Sequence, residues 1–302
     1  MSEQVLVTGI SGFIAKHISL NLLQSGYRVR GTLRTPERAQ EVRHTLQANG
    51  ADTSALSFVE ADLDSDAGWV EAANGCTYVQ HVASPFPIEQ PRDREALVPQ
   101  AREGALRVLK AAQEANAQRI VFTSSMVAMM YRANRSHEFT VTEDDWTDPE
   151  WDKLTAYIVS KTRAERAAWQ WAKESEWENR LTVVNPGFVL GPTLDGRTGT
   201  SLEVIKLIFE GAFPAMPPSF HPIVDVRDLA ELLVRAMTAP RAGGHRLIAA
   251  ADSLSLPQMG EILRDAFPEQ GRKIPTRTMP ASVVRFLAIF NRGLKTVLPD
   301  IG

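Results

Sequence analysis

The stretch Val5-Leu6-Val7-Thr8-Gly9-Ile10-Ser11-Gly12-Phe13-Ile14-Ala15 decides the fold. Its first three residues are an apolar run that reads as a buried strand. Ile14, Ile18 and Leu22 then recur every four residues, a helical stripe that stops at Gly26. Between strand and helix stand three small residues at fixed spacing, Gly9-x-x-Gly12-x-x-Ala15. Gly9 permits a tight turn, Gly12 lets the backbone approach a pyrophosphate, and Ala15 lets the helix pack closely on the strand. Amides at the helix N-terminus then face phosphate oxygens, an arrangement the helix dipole favours. Glycine turns are common. This one follows the first strand of the chain and opens a helix, the context a dinucleotide-binding turn requires. Gly9, Ser11, Gly12, Phe13 and Ile14 are therefore read as cofactor-binding.

Outward from this turn, strands and helices alternate. Strand patterns at 27–33, 56–59, 78–82, 119–123 and 181–184 are separated by helical patterns at 36–48, 96–115 and 155–173. The strands are continuous apolar runs, as expected when both faces of a parallel sheet are covered. The sequence thus predicts an α/β fold, a doubly wound parallel sheet of Rossmann type. After Val184 the rhythm changes. Asn185-Pro186-Gly187 opens a Gly- and Pro-rich stretch, read as irregular, that runs to His221-Pro222. Ile223-Val224-Asp225 leads into a helix over 226–238, a strand follows at 245–249, and helices are predicted near 258–266 and 281–291. This pattern predicts a dinucleotide-binding domain over 1–185, to which 223–249 returns. A smaller C-terminal substrate-binding lobe, from 186–222 and 250–302, would lie over the carboxyl edge of the sheet.

Composition narrows the function classes. The 302 residues are 44% hydrophobic and 23% charged, which excludes a disordered chain. A net charge of -3 speaks against nucleic acid or an anionic membrane as partner. The single cysteine, Cys76, allows no intrachain disulfide and reads as a small buried hydrophobe. The chain enters its first strand at once, without the charged and apolar regions of a signal peptide. The apolar stretch 281–290 is too short to span a bilayer and carries Arg285. The expectation is a soluble, cytoplasmic monomer or homodimer acting on a small molecule. The six histidines show no metal-ligand spacing, so no metal site is expected, and His81 is expected to pack beneath the sheet edge.

The tip of the second strand chooses the cofactor. An NAD site wants a carboxylate there, about 20 residues past the glycines, to accept from the ribose 2′-hydroxyl. This chain has Gly31-Thr32-Leu33-Arg34-Thr35-Pro36-Glu37-Arg38. The carboxylate is missing from the tip and Arg34 stands in its place. A guanidinium suits a 2′-phosphate by charge and by its fork of donors, and Arg38 offers a second one. The predicted cofactor is NADP(H). Asp62 and Leu63, after the third strand, are placed to meet the adenine, and Val82-Ala83-Ser84 ends the fourth strand beside the cofactor.

The chemistry is read from Tyr157-Ile158-Val159-Ser160-Lys161. Four residues apart on a helix, Tyr157 and Lys161 share one face. A neighbouring ammonium is expected to lower the phenol's pKa toward the working range, so that Tyr157 can give its proton to a carbonyl oxygen. Lys161 can also hold the nicotinamide ribose. Ser124-Ser125 closes the strand at 119–123, at the carboxyl edge where such folds keep ligands. Ser125 is read as the residue that orients the substrate oxygen, and Ser124 as a cap or turn serine.

Taken together, these motifs resemble the extended short-chain dehydrogenase/reductases over nearly the whole length. The match rests on Val7-Thr8-Gly9-x-x-Gly12-Phe13-Ile14-Ala15, His81-Val82-Ala83-Ser84-Pro85, Val121-Phe122-Thr123-Ser124-Ser125, Tyr157-x-x-Ser160-Lys161 and Asn185-Pro186-Gly187-Phe188-Val189-x-Gly191-Pro192. Arg34 and the run 81–85 look like the subgroup of dihydroflavonol 4-reductases, cinnamoyl-CoA reductases and microbial aldehyde and ketone reductases. The resemblance implies a catalytic triad of Ser125, Tyr157 and Lys161 and carbonyl reduction by NADPH. It also implies nicotinamide contacts from Pro186, Gly187, Phe188 and Val189, with Thr123 nearby. Plant dihydroflavonol reductases often carry a polar residue shortly after the catalytic serine. Here Met126-Val127-Ala128-Met129-Met130 is apolar, which implies a hydrophobic aldehyde or ketone met by Pro85, Phe86, Met126, Val127 and Phe188. Two alternatives stay open: a redox-neutral nucleotide-sugar epimerase or dehydratase using NAD, and a non-catalytic NADP-sensing protein.

Overall fold

The computed structural model describes residues 2–85, 91–133, 139–197, 199–290 and 298–301. In chain order its strands are β1 (Gln4–Val7), β2 (Arg28–Leu33), β3 (Leu56–Glu60), β4 (Tyr78–His81), β5 (Arg119–Thr123), β6 (Leu181–Pro186), β7 (Phe188–Leu190), β8 (Phe220–Asp225), β9 (Arg246–Ala249) and β10 (Asp252–Ser255). Its α-helices are α1 (Phe13–Gln24), α2 (Ala39–Ala48), α3 (Trp69–Ala73), α4 (Val98–Glu114), α5 (Ala156–Glu174), α6 (Thr200–Phe209), α7 (Val226–Thr238), α8 (Leu256–Ala266) and α9 (Ala281–Leu287).

Seven strands form one sheet in the order β3-β2-β1-β4-β5-β6-β9, with every neighbouring pair parallel. This is the doubly wound Rossmann-type fold read from the sequence. Every residue of β1, β4 and β6 is buried, as expected of strands covered on both faces, with Gln80, His81, Thr182 and Asn185 buried among the apolar side chains. On one face α1 packs against α7, where Ile18, Leu22, Leu229 and Leu233 are fully buried. On the other α4 packs against α5 around Val108, Leu109, Ala168 and Ala172. Each such leucine contributes about 1.5–3 kcal/mol by leaving water. The chain winds outward through β2 and β3, then returns to the far side of β1 with β4. The crevice at the carboxyl ends of β1 and β4 is where such sheets hold ligands.

A second, three-stranded sheet runs β10-β8-β7, with β7 parallel and β10 antiparallel to β8. Its core gathers Ile208, Met216, Leu256, Met259 and Ile274. The stretch read as irregular, 186–222, is largely ordered and holds β7, α6 and the start of β8. The pattern hid α6 because Leu202, Val204, Ile205, Leu207, Ile208 and Phe209 leave it no clean polar face. Two other elements were not anticipated: α3, five residues long and opened by Gly68 at φ +84°, and β10, four residues long. Both are too short for periodicity to register.

The segment after β7 is strapped down onto the first two helices. Lys16 pairs with Asp195, His17 Nε2 donates to the Pro192 carbonyl at 3.0 Å, and Asn49 Nδ2 donates to the Leu194 carbonyl at 3.1 Å. Gly199 then lies over Phe13, at the mouth of the crevice.

Candidate active site

A cavity of about 700 Å³ opens at the carboxyl ends of the central strands, within the usual range of about 300–1,000 Å³ for ligand sites. The loop between β1 and α1 forms its floor. Gly9 adopts φ +63°, and a Cβ there would sit 3.0 Å from that of Ala83. Thr8 and Thr32, which the sequence reading passed over, build this turn. Thr32 Oγ1 accepts from the Gly9 amide at 3.0 Å. Thr8 Oγ1 accepts from the amides of Val82 and Ala83, both at 3.0 Å, so its proton is left for His81 Nδ1 at 2.9 Å. His81 is buried and stacks on Phe122, and burial first, then the Lys161 charge, pulls its pKa down to about 3. It is a neutral structural residue beneath the sheet edge.

The wall of the cavity carries Gly9, Ser11, Gly12, Phe13, Ile14, Arg34, Arg38, Asp62 and Leu63 toward one end. Val82, Ala83, Ser84, Pro85, Thr123, Ser125, Tyr157, Lys161, Pro186, Gly187 and Val189 also line it. Gly187 allows β6 to pass close to β8, because a Cβ there would meet the Pro222 carbonyl at 2.4 Å. The wall also includes Ser124, and Trp69, Gln100 and Ser201, which the sequence reading did not name and which no short motif marks.

Not every expected residue reaches the cavity. Met126 is buried, and Val127 packs with Tyr131, Leu154, Ile158 and Val159 behind the wall. Phe188 turns into the core of the second sheet, its ring 5.5 Å from that of His221. These apolar side chains are drawn into packed clusters, which remove more surface from water than a cleft wall would. Phe86 lies outside the described residues.

The donor set fits a dinucleotide with a 2′-phosphate. Helix α1 begins without a side-chain cap and without an acid in its first turn, leaving its N-terminus to an anion. Arg34 is exposed at the tip of β2, and Arg38 donates to Ser11 Oγ at 3.0 Å while pairing with Glu41 at 3.3 Å. At the other end Thr123 Oγ1 is buried without a hydrogen-bond partner on the cavity wall, a polar atom that a bound ligand would satisfy.

Helix α5 delivers the chemistry. Thr155 caps it through the Ile158 amide, and Tyr157, Lys161 and Glu165 follow at four-residue intervals. Tyr157 keeps part of its surface open to the cleft, yet burial pushes its phenol up to about 12, against the pull of a hydrogen bond with Ser125. The net shift is therefore upward, not the downward one expected from a neighbouring ammonium, because burial dominates. The Lys161 ammonium points at the Thr123 carbonyl, 3.3 Å away, and is itself pulled down to about 8 by burial, against the raising effect of Glu165. The two serines also exchange one role. Ser125, not Ser124, caps the short 3₁₀ turn Met126–Ala128, accepting from the Val127 amide at 3.3 Å, because its extended backbone aims Oγ back along the turn. Ser124 instead donates to Glu165.

Residues 5–250 match the NAD dependent epimerase/dehydratase family. The chain belongs to it. Within that family it stands with the extended short-chain dehydrogenase/reductases, and its similar proteins include reductases. It is 38% identical to cinnamoyl-CoA reductase 1 of Petunia hybrida over 277 residues, 91% of this chain and 80% of that one. It is 33% identical to the bifunctional dihydroflavonol 4-reductase/flavanone 4-reductase of Malus domestica over 289 residues, 91% of this chain and 79% of that one. Among solved structures, the yeast methylglyoxal/isovaleraldehyde reductase Gre2, crystallised with NADPH, superposes with a TM-score of 0.81 at 26% identity, covering 98% of this chain and 96% of that one. In this chain the glycine turn and the tyrosine–lysine helix face one crevice. Among the described residues no helix is long and apolar enough to cross a membrane.

Proposed function

We propose that this protein is an NADPH-dependent carbonyl reductase acting on an aldehyde or ketone borne on an apolar group. The observation that carries the reading is convergence. Ser125, Tyr157 and Lys161 line the same cavity as the uncapped N-terminus of α1 and the guanidinium groups of Arg34 and Arg38. The similar proteins named above are reductases, and the yeast one is a complex with NADPH.

Gly9, Ser11, Gly12, Phe13 and Ile14 would hold the pyrophosphate, Arg34 and Arg38 the 2′-phosphate, and Asp62 and Leu63 the adenine end. Val82, Ala83, Ser84, Thr123, Pro186, Gly187 and Val189 flank the nicotinamide end. When bound, NADPH supplies hydride to the carbonyl carbon. Tyr157 gives its proton to the carbonyl oxygen, and a phenol pushed up to about 12 is fully protonated at neutral pH, the state a donor needs. Ser125 hydrogen-bonds Tyr157 and orients the substrate oxygen. Lys161 is a cation below about pH 8 that offsets negative charge developing on the phenol and binds the ribose. Pro85, Pro186 and Val189 give the wall near these groups its apolar character.

The family's name also covers redox-neutral epimerases and dehydratases, which must grip a nucleoside diphosphate. Between Gly191 and Pro222 the cations are Arg197 and Lys206. Arg197 faces Glu41 at 2.9 Å and Lys206 stands beside Glu203 at 3.9 Å, so each carries a carboxylate beside it rather than joining a cationic cluster. No acid stands beside Ser125 in Met126-Val127 to serve a dehydration.

The test is loss of NADPH absorbance across a panel of aromatic, aliphatic and keto-ester carbonyls. Tyr157→Phe should cut turnover by about 10²–10⁴-fold, the usual worth of a general acid, while binding NADPH as the parent does. A variant that turns over at the parent rate would sink the mechanism. Protein that carries tightly bound NAD and consumes no NADPH on any carbonyl would favour the epimerase.

A further inference from the structure

Glu165 is fully buried and is not used by the chemistry proposed above. Its carboxylate is held from three strand ends. Oε1 accepts from Arg246 Nε on β9 at 2.6 Å. Oε2 accepts from Ser124 Oγ, directly after β5, and from Asn185 Nδ2 on β6 at 2.8 Å. Such a site is costly to build, since a buried carboxylate is tolerated only when charge and hydrogen bonds both compensate it. The protein has built it one helical turn beyond Lys161 and two beyond Tyr157, on the same face of α5.

Two consequences reach the cavity. Asn185 Nδ2 also donates to the Ser125 carbonyl at 3.1 Å, so Glu165 fixes the amide that fixes Ser125. Glu165 is also the counter-charge on Lys161. Among the described residues, the groups that face that ammonium are Glu165 on its own helix and neutral His81 from β4, with the Thr123 carbonyl from β5; Tyr157 lies one turn back along α5. Around Glu165 the compensating cation is Arg246. Its Nη1 donates to the carbonyls of Glu143 and Asp145, and its guanidinium lies 3.8 Å from the centre of the Trp146 ring. Arg246 is thus held from the far side, and the carboxylate it bonds is held with it.

We propose that Glu165 is a positioning residue for the reaction: its carboxylate keeps Lys161 cationic and, through Asn185, sets the place of Ser125. This rests on the reading of the cleft as a reductase site and adds to it the group that maintains the lysine's charge there.

The test is Glu165→Gln, read in two ways. In apo protein labelled with ¹³C at lysine Cε, with Lys161→Met to assign the signal, the Lys161 titration midpoint should fall by about one pH unit or more, as expected for loss of a buried charge one turn away. The pH above which NADPH-dependent turnover declines should fall with it, and Glu165→Asp should restore part of both. Should Glu165→Gln fail to fold with Arg246 left unpaired, the double variant Glu165→Gln/Arg246→Met removes both charges and must show a downward shift, smaller because loss of the more distant cation offsets part of it. A folded variant with an unmoved lysine midpoint, or one whose turnover drops by the same factor at every pH, overturns the proposal. The titration reads the coupling with no carbonyl present. Absence of turnover with a shifted midpoint therefore counts against the reductase reading and leaves the coupling standing.

Discussion

Replacing Arg34 by Ala should separate NADPH from NADH, and the structure fixes by how much. Arg34 is exposed at the tip of β2 and carries no structural bond among those described, so its removal costs the fold little. A hydrogen bond to a charged group contributes about 1.5–3 kcal/mol, and solvent around an exposed guanidinium reduces this to about 1–2 kcal/mol. At about 1.4 kcal/mol per tenfold, NADPH should bind about 5- to 30-fold more weakly and NADH equally well. Arg38 should behave differently. It is half-buried and already bonded to Ser11 Oγ on the glycine turn and to Glu41. Arg38→Ala should therefore weaken both cofactors, NADH by about 2- to 10-fold through the loosened turn, as for a neutral hydrogen bond. Dissociation constants for the two cofactors, from nicotinamide fluorescence at two ionic strengths, check this. The gap between NADPH and NADH should narrow with salt. If Arg34→Ala weakens both cofactors equally, or neither, the 2′-phosphate is not held at this strand tip and the argument from the missing carboxylate is wrong.

Three further outcomes follow. Reduction should be level at neutral pH and decline as pH rises through about 8, because burial has lowered Lys161 to that value and its cation is lost above it, while Tyr157 stays protonated to about 12; a pH–rate profile that rises through 8 contradicts this assignment. Gly187→Ala should destabilise the protein by about 1–3 kcal/mol, the usual cost of overpacking, since its Cβ would lie 2.4 Å from the Pro222 carbonyl, and thermal unfolding reads the loss. Asp195→Asn strands the buried ammonium of Lys16 and should cost about 3–5 kcal/mol in denaturant unfolding, and an unchanged midpoint would mean that the strap over α1 carries no load.

Much of the fold was legible because its signals are local. The alternation of apolar runs with helical stripes located all seven strands of the main sheet to within one residue at their starts, and the glycine turn fixed where the first strand hands over to the first helix. What escaped has a common physical cause. Helix α6 is apolar nearly all round, α3 spans five residues, and β10 pairs only with β8, so none carries a period that a single sequence reveals. In the site, the residues on the first helix turn and on α5 were readable from spacing, and Glu165 was readable too, since it extends the Tyr157–Lys161 interval by one more step of four. Its partners were not. Arg246 and Asn185 meet Glu165 across 81 and 20 residues of sequence, and only the stacking of β5, β6 and β9 brings them together. Thr8 and Thr32, which tie the glycine turn to β4 and β2, escaped for the same reason.

The largest difference between sequence and structure lies in the tyrosine itself, and it bears on direction. Spacing suggested a phenol drawn down by its lysine toward the working range, from which it gives its proton. In the folded chain burial dominates and the phenol is driven up, while the lysine is driven down toward neutrality and held cationic against that trend by a carboxylate one turn further on. A high phenol pKa makes removal of a proton from an alcohol unfavourable at neutral pH and makes delivery of one to a nascent alkoxide secure, because the acid form is the only one populated. On the proposed mechanism, the burial that raises Tyr157 keeps it in the acid form a donor needs. That role would hold only while Lys161 remains charged to stabilise the phenolate left behind, which is why Glu165, a residue used only through its neighbours, enters the proposed mechanism.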